Sequence, residues 1–277
     1  MEKKRIRKPA VAGTWYPGTE ADCRVLFDTW LGGIEKQTAD EKVLGLISPH
    51  AGYAFSGPAA ARAYKEIEGL PIKTAVVLAP MHRMSVSRYM TSAEQYYETP
   101  MGLVEIDSDI VGQLKQRADI QAVSGDSEHS LEIQLPFLQY ALKDFKLVPV
   151  MVGHGNVFDV DDMALALAEV LDPETSIIVA SSDMHHIDDY ALVEKRDAAF
   201  IRALEEFSVP DIQHVLSRPA TSICGRVPIT IMLKACSSMG AEAARILLYT
   251  HSSEITGKKV PGEYTVGYLA AAVTRVS

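Results

Sequence analysis

Three short apolar runs, each ending abruptly beside a histidine, constrain this chain more than any other feature. The first opens Val43–Gly57, VLGLISPHAGYAFSG, where the run breaks at Pro49 and His50 follows directly. The second is Thr74–Pro80, TAVVLAP, which runs into Met81-His82-Arg83. The third is Ser176–Ala180, SIIVA, followed by Ser181-Ser182-Asp183-Met184-His185-His186. Short apolar runs closed by turn residues read as buried strands leading into loops. In open α/β sheets, ligands bind in the crevice beyond the carboxyl ends of the strands. A site is therefore expected wherever these three strand ends converge.

The rest of the pattern alternates between strand and helix. Apolar residues recur at helical spacing from Glu20 to Leu31, with Gly32-Gly33 as the stop. Pro58 suits a first helical turn, which predicts a helix from Pro58 to about Ile67. A strand is expected over Val86–Ser92, then a turn-rich excursion over Tyr96–Gly102. A helix capped by Asp107 should follow, through Arg117. His129–Leu142 reads as helical with Pro136 inside it, so either a kink or a fresh helical start is expected there. Lys146–Val152 reads as a strand; Phe158–Leu171, Asp188–Phe207, Asp211–Leu216 and Val227–Met239 read as helices. Ala243–Tyr249 and Tyr264–Val273 close the chain as strands. The Pro- and Gly-rich opening RKPAVAGTWYPG reads as an irregular arm anchored by Trp15 and Tyr16. With no internal repeat and no low-complexity linker, 277 residues of this alternation predict one α/β domain, 1–277, with a central, mostly parallel or mixed sheet flanked by helices.

Charge and cysteine content exclude several classes. A formal net charge of −9 argues against a nucleic-acid partner or an anionic membrane surface. Three cysteines, Cys23, Cys224 and Cys236, do not make a disulfide framework. The basic opening MEKKRIRKPA is not followed by an apolar segment, and no run is long enough to cross a bilayer. A cytoplasmic protein with reduced thiols is the expectation.

The chemistry-bearing residues favour a metal. Imidazoles suit zinc, copper and iron, and two histidines with one anionic donor and open positions is the arrangement of non-haem iron oxygenases. Asp183, Glu132 and the thiolate of Cys224 are the candidate anions. Cys224 precedes Gly225 and Arg226 at a helix start, a setting that lowers a thiol pKa. His129 and Glu132, three apart on one helical turn, face the same way and form a candidate acid/base or supporting pair. A second class needs no metal: Cys224 as nucleophile, a histidine as base and Asp183 as orienter would make a thiol hydrolase. A third is a non-catalytic module that docks a peptide or partner in the pocket.

The set SPHAGYAFSG, APMHR, SEHSLEIQLPFL, ASSDMHH and ICGRVPI, with AGTWYPG at the start, resembles the Memo family over about Pro9–Ala272. In bacteria and archaea the family is described as the Memo-like partner in the AmmeMemoRadiSam set, which implies a functional link to a radical-SAM protein and an AMMECR-type protein. The resemblance implies a fold similar to the LigB-type class III extradiol dioxygenases. It also implies a metal held by His50, His82 and Cys224, with Asp183 lining the same pocket. His186, three residues after that Asp, is implied at the site in preference to His185. Iron (non-haem, Fe2+) is the first expectation, copper the second, and zinc is compatible. The substrate expected is a small molecule undergoing a redox or oxygen-dependent step. Two departures stand out: a Cys replaces the dioxygenase carboxylate, which favours softer metals and argues against ring cleavage, and Arg83 follows His82 where the family often has a second histidine.

Overall fold

Each apolar run becomes a strand. The computed structural model describes residues 4–38, 40–83 and 87–276. Among them the strands are β1 (Ile6–Arg7), β2 (Glu41–Ser48), β3 (Thr74–Pro80), β4 (Tyr89–Ser92), β5 (Tyr96–Thr99), β6 (Gly102–Glu105), β7 (Ile120–Val123), β8 (Lys146–Val152), β9 (Ser176–Ser181), β10 (His186–Ile187), β11 (Ala243–His251) and β12 (Thr265–Val276). The helices are α1 (Glu20–Leu31), α2 (Tyr53–Ile67), α3 (Ser108–Lys115), α4 (His129–Glu132), α5 (Leu135–Ala141), α6 (Asp161–Val170), α7 (Tyr190–Glu205), α8 (Val209–Leu216), α9 (Arg226–Ser238) and α10 (Ser252–Ile255).

The main sheet is mixed, in the order β10-β12-β2-β9-β3-β8-β4-β7, with β11 also paired to β12. Its centre, β2, β9, β3 and β8, runs parallel. β12 lies antiparallel to both β2 and β11. All of β9 and all but the first residue of β3 are buried, as continuous apolar runs require when both sheet faces are covered. α2 packs on β2 and β12, and α9 on β2, β9 and β3. The result is the single α/β domain with a mixed sheet and flanking helices that the patterning predicts.

Convergence of the histidines follows from strand order. β9 sits between β2 and β3, with Ser48 opposite Ser181 and Leu78 opposite Ala180. Adjacent strands lie about 4.8 Å apart, so three parallel neighbours deliver their following loops within about 10 Å of one another.

Several boundaries differ from expectation, each for a local reason. α2 begins at Tyr53, and Pro58 lies inside it. The early turn is held from outside: Tyr53 N donates to Trp15 O at 2.8 Å, and Ser56 Oγ donates to Ala51 O at 2.8 Å. The excursion over Tyr96–Gly102 is the hairpin β5–β6, and β1 adds to β5 in parallel, so the arm begins as a strand. Of the strand expected from Val86, Val86 itself lies outside the described residues, and the strand spans Tyr89–Ser92. His129–Leu142 divides into α4 and α5, with Pro136 in the first turn of the second. Asp107 caps α3 as expected, its carboxylate accepting from Ile110 N at 3.1 Å.

The arm is clamped by a buried ion cluster. Arg7, 2% exposed, donates to Glu132 and, at 3.3 Å, to Asp126. Glu132, fully buried, also accepts from Ala10 N at 2.8 Å, Val11 N at 3.1 Å and Tyr16 Oη at 2.8 Å. Four donors fill its carboxylate. Glu132 is thus the anchor of the arm, and the structure does not bring it into the histidine pocket: α4 is a single turn, and its far end faces the arm.

Candidate metal centre

His50, His82 and Cys224 each present a donor atom, and the three atoms lie within 4.8 Å of one another. Each comes from a different element: His50 from the loop after β2, His82 from the loop after β3, and Cys224 from the turn before α9. Cys224 Sγ stands 3.1 Å from His50 Nε2. The three imidazoles of His50, His82 and His129 cluster, with ring centroids 4.9–5.7 Å apart.

Hydrogen bonds behind the rings decide which nitrogens face the site. Ser181 Oγ donates to Ser130 O at 2.6 Å, which commits its only proton. It must therefore accept from His50 at 2.9 Å, placing the proton on His50 Nδ1 and leaving Nε2 as a lone pair toward Cys224. Gln134 Nε2 also donates to the same Ser181 oxygen, at 2.9 Å. His82 Nδ1 meets Glu128 Oε1 at 3.1 Å, so its proton sits there and Nε2 is free to coordinate. Burial alone would raise the Glu128 carboxyl; the bonds from the His82 ring, His82 N and Ser130 N, with the His129 charge, hold it well below the usual carboxylate range. Burial, reinforced by the charges of His82 and His129, pushes the pKa of His50 well below its ordinary value. That of His129 is lowered to about 4, chiefly by burial. Neutral imidazoles are what a metal requires. A second grouping, His82, Glu128 and His129, also brings donors within 4.8 Å, but three hydrogen bonds already occupy Glu128.

Cys224 departs from expectation. The helix start and Arg226 were expected to lower its thiol pKa, yet burial dominates, with the Asp183 charge adding to it, and pushes the thiol well up. Bonds from Asp183 N, at 3.2 Å, and from neighbouring backbone oppose the shift without overcoming it. Such a thiol stays protonated at neutral pH unless a cation binds it. Gly225 explains how α9 reaches this place. A Cβ there would lie 2.3 Å from Ser182 Cβ and 2.5 Å from Ser181 O. Gly225→Ala should lower stability by about 1–3 kcal/mol, as overpacking does, and displace Cys224; thermal denaturation and metal content together check it.

Asp183 closes the centre from the loop after β9. Its Oδ1 accepts from His50 N at 2.7 Å and Ala51 N at 3.2 Å, locking the loop after β2. Burial raises its pKa to about 7 against those bonds and the His82 charge. The folded value exceeds the unfolded one, so the folded state holds the proton more tightly. Stability of the metal-free protein should therefore fall as pH rises from about 4 toward 7 and level off above. Asp183→Asn keeps an acceptor and removes the ionisation, so it should flatten that decline in thermal melts. A variant that melts in parallel with wild type across this range would refute the account.

A cavity of about 520 Å3 opens in front of the imidazoles, lined by His50, His82, His129, Asp183 and His186, with Trp15, Phe55 and Tyr264 among its aromatic walls. His186 Nδ1 meets Tyr264 Oη at 3.1 Å, while its Nε2 is buried without a hydrogen-bond partner. His129 Nδ1 also has no hydrogen bond; it lies 3.2 Å from Glu128 Oε1 but off a bonding angle. His185 points elsewhere, buried against Asp197 at 2.7 Å. Trp15 packs on His129 with centroids 4.5 Å apart, so the arm residue expected only as an anchor also forms the pocket wall. Glu128, Ser181 and Tyr264 were missed. Glu128 alone left a trace, as an acidic residue at a helix start beside His129.

The structure thus defines an α/β protein with a cluster of histidines and one cysteine at the carboxyl edge of its parallel strands. A family model described as Memo-like protein matches residues 7–272, and the chain belongs to that family. It is 31% identical over 260 residues to a MEMO1 family protein of Nitrosopumilus maritimus, covering 91% of this chain and 94% of the relative. It is 34% identical over 260 residues to one of Aquifex aeolicus, with the same coverage. To one of Methanosarcina mazei it is 32% identical over 276 residues, covering 97% and 99%. Among the described residues no helix is long and apolar enough to cross a membrane.

Proposed function

We propose that this chain binds one transition-metal ion through His50, His82 and Cys224 and carries out a redox or oxygen-dependent step on a small molecule in the adjoining pocket. The observation that carries the reading is the convergence of three donor atoms within 4.8 Å, with the outer nitrogens of both imidazoles occupied by Ser181 and Glu128. Iron remains the first expectation and copper the second, with zinc compatible; the thiol shifts the donor set toward copper relative to a carboxylate. When bound, such a metal supplies electron transfer or activation of oxygen. The protein's own part is to orient both rings, to provide Cys224 as a donor that becomes anionic when its thiol gives up its proton to a bound cation, and to handle protons. Asp183, with a pKa near neutrality, suits proton transfer. His186 Nε2 and His129, both facing the cavity without full hydrogen bonding, suit substrate binding or acid/base work.

The metal-independent hydrolase is the weaker reading. Its nucleophile would need a thiolate, and burial holds Cys224 in the thiol form. Elemental analysis of untagged protein purified anaerobically without chelators tests the main reading: about one iron or copper per chain is expected. Protein that stays empty after reconstitution would overturn it. Glu128→Gln keeps an acceptor but loses the charge behind His82, and should weaken metal affinity about 10–100-fold in chelator competition.

A further inference from the structure

Cys224 does not line the pocket that holds the imidazoles. It borders a second cavity of about 260 Å3 at the ends of β3 and β8 and the start of α9, and His82 is the lining residue common to the two. Met81, Val152, Ile223 and Val227 give this cavity an apolar floor. Arg226 also lines it, half-buried, and its guanidinium has no ion pair or hydrogen bond to any described residue. An unpaired guanidinium against an apolar wall is complementary to an anion and prefers planar, two-oxygen groups.

We propose that this second cavity is a subsite for a small carboxylate, bound by Arg226 with its apolar stem against Met81, Ile223 and Val227. At about 260 Å3 it is smaller than most drug-sized pockets, so the ligand has only a few heavy atoms. It would contact the centre from the Cys224 side, apart from whatever fills the larger pocket. The subsite is defined by the cavity and its arginine and does not depend on a metal being bound.

Alkylation of Cys224 in the full, metal-free chain tests this directly. Iodoacetate carries the carboxylate; iodoacetamide is its neutral analogue. With either, the sulfur of the ionised thiol bonds to the methylene carbon, the carbon–iodine bond breaks, iodide leaves and the thiol proton passes to solvent. Peptide mass spectrometry separates Cys224 from the buried Cys23 and Cys236. The rate ratio of the two reagents cancels thiol ionisation. The iodoacetate rate should saturate, acetate should compete with it, and the iodoacetamide rate should stay linear. Arg226→Gln should lower the ratio by about tenfold or more, and Arg226→Lys should restore part of it. An unchanged iodoacetamide rate in the variants reports an intact cavity. Linear kinetics with both reagents, or a ratio indifferent to Arg226→Gln, would overturn the subsite. Protection by inorganic phosphate at concentrations where acetate gives none would overturn the carboxylate assignment. If Arg226→Gln fails to fold, saturation and acetate competition in the wild-type chain decide.

Discussion

Cys224→Ala protein should retain metal at least about 100-fold more weakly than wild type. Residues that only support a ligand through a hydrogen bond are worth about 10–100-fold, and Cys224 is the sole anionic donor in the proposed set. Without it, two neutral imidazoles remain, and nothing balances the ion's charge. The folded scaffold should persist, because α9 is held along its length by α6 and by β2, β9 and β3. Chelator competition and elemental analysis after gel filtration measure the effect, with a thermal melt as the folding control. Cys224→Asp should recover part of the affinity and shift it toward iron, since it recreates two histidines and a carboxylate. Full stoichiometric metal in Cys224→Ala would show that the thiol is not a ligand.

Glu132→Ala should produce the largest loss of stability, about 3–5 kcal/mol, the usual effect of breaking a buried ion pair from one side. It leaves Asp126 as the carboxylate paired with Arg7, beside the backbone oxygens of Lys8 and Glu128, and strips acceptors from Ala10 N, Val11 N and Tyr16 Oη. For a chain of this size the melting temperature should drop by about 6–20 °C. Metal content at saturating metal and low temperature should stay near wild type, because Glu132 faces the arm. Glu132→Gln, which keeps acceptor oxygen without charge, should fall between. A wild-type melting temperature in Glu132→Ala would remove the clamp from this description.

These two variants separate residues that sequence reading had grouped together. Glu132 and His129 share a helical turn, and spacing alone places them on one side of it. What spacing does not show is that the arm returns from more than 100 positions away to occupy Glu132. His129 instead faces the pocket beneath Trp15. The Cys224 thiol illustrates the same limit. A helix start and an adjacent arginine are visible in the chain and point to a lowered pKa. Burial between β9 and α9 outweighs both, and burial is a property of the packed fold.

Much of the architecture was legible because apolar runs and helical periodicity are local signals. The parallel strands, most helices and the positions of His50, His82 and Asp183 at strand exits follow from short stretches of sequence. The early start of α2 was not legible, since its first turn is held by Trp15 O in a distant segment. Nor was the role of Ser181, whose single hydroxyl sets the His50 tautomer only because β9 lies beside β2.

The sequence by itself determined which residues could do chemistry and that they stood at strand ends. Tertiary structure decided which of them meet. Strand order brought His50, His82 and Cys224 together, buried hydrogen bonds chose the nitrogens that face inward, and an ion clamp claimed Glu132 for the arm. Those outcomes depend on pairings between residues far apart in the chain, which no local pattern encodes.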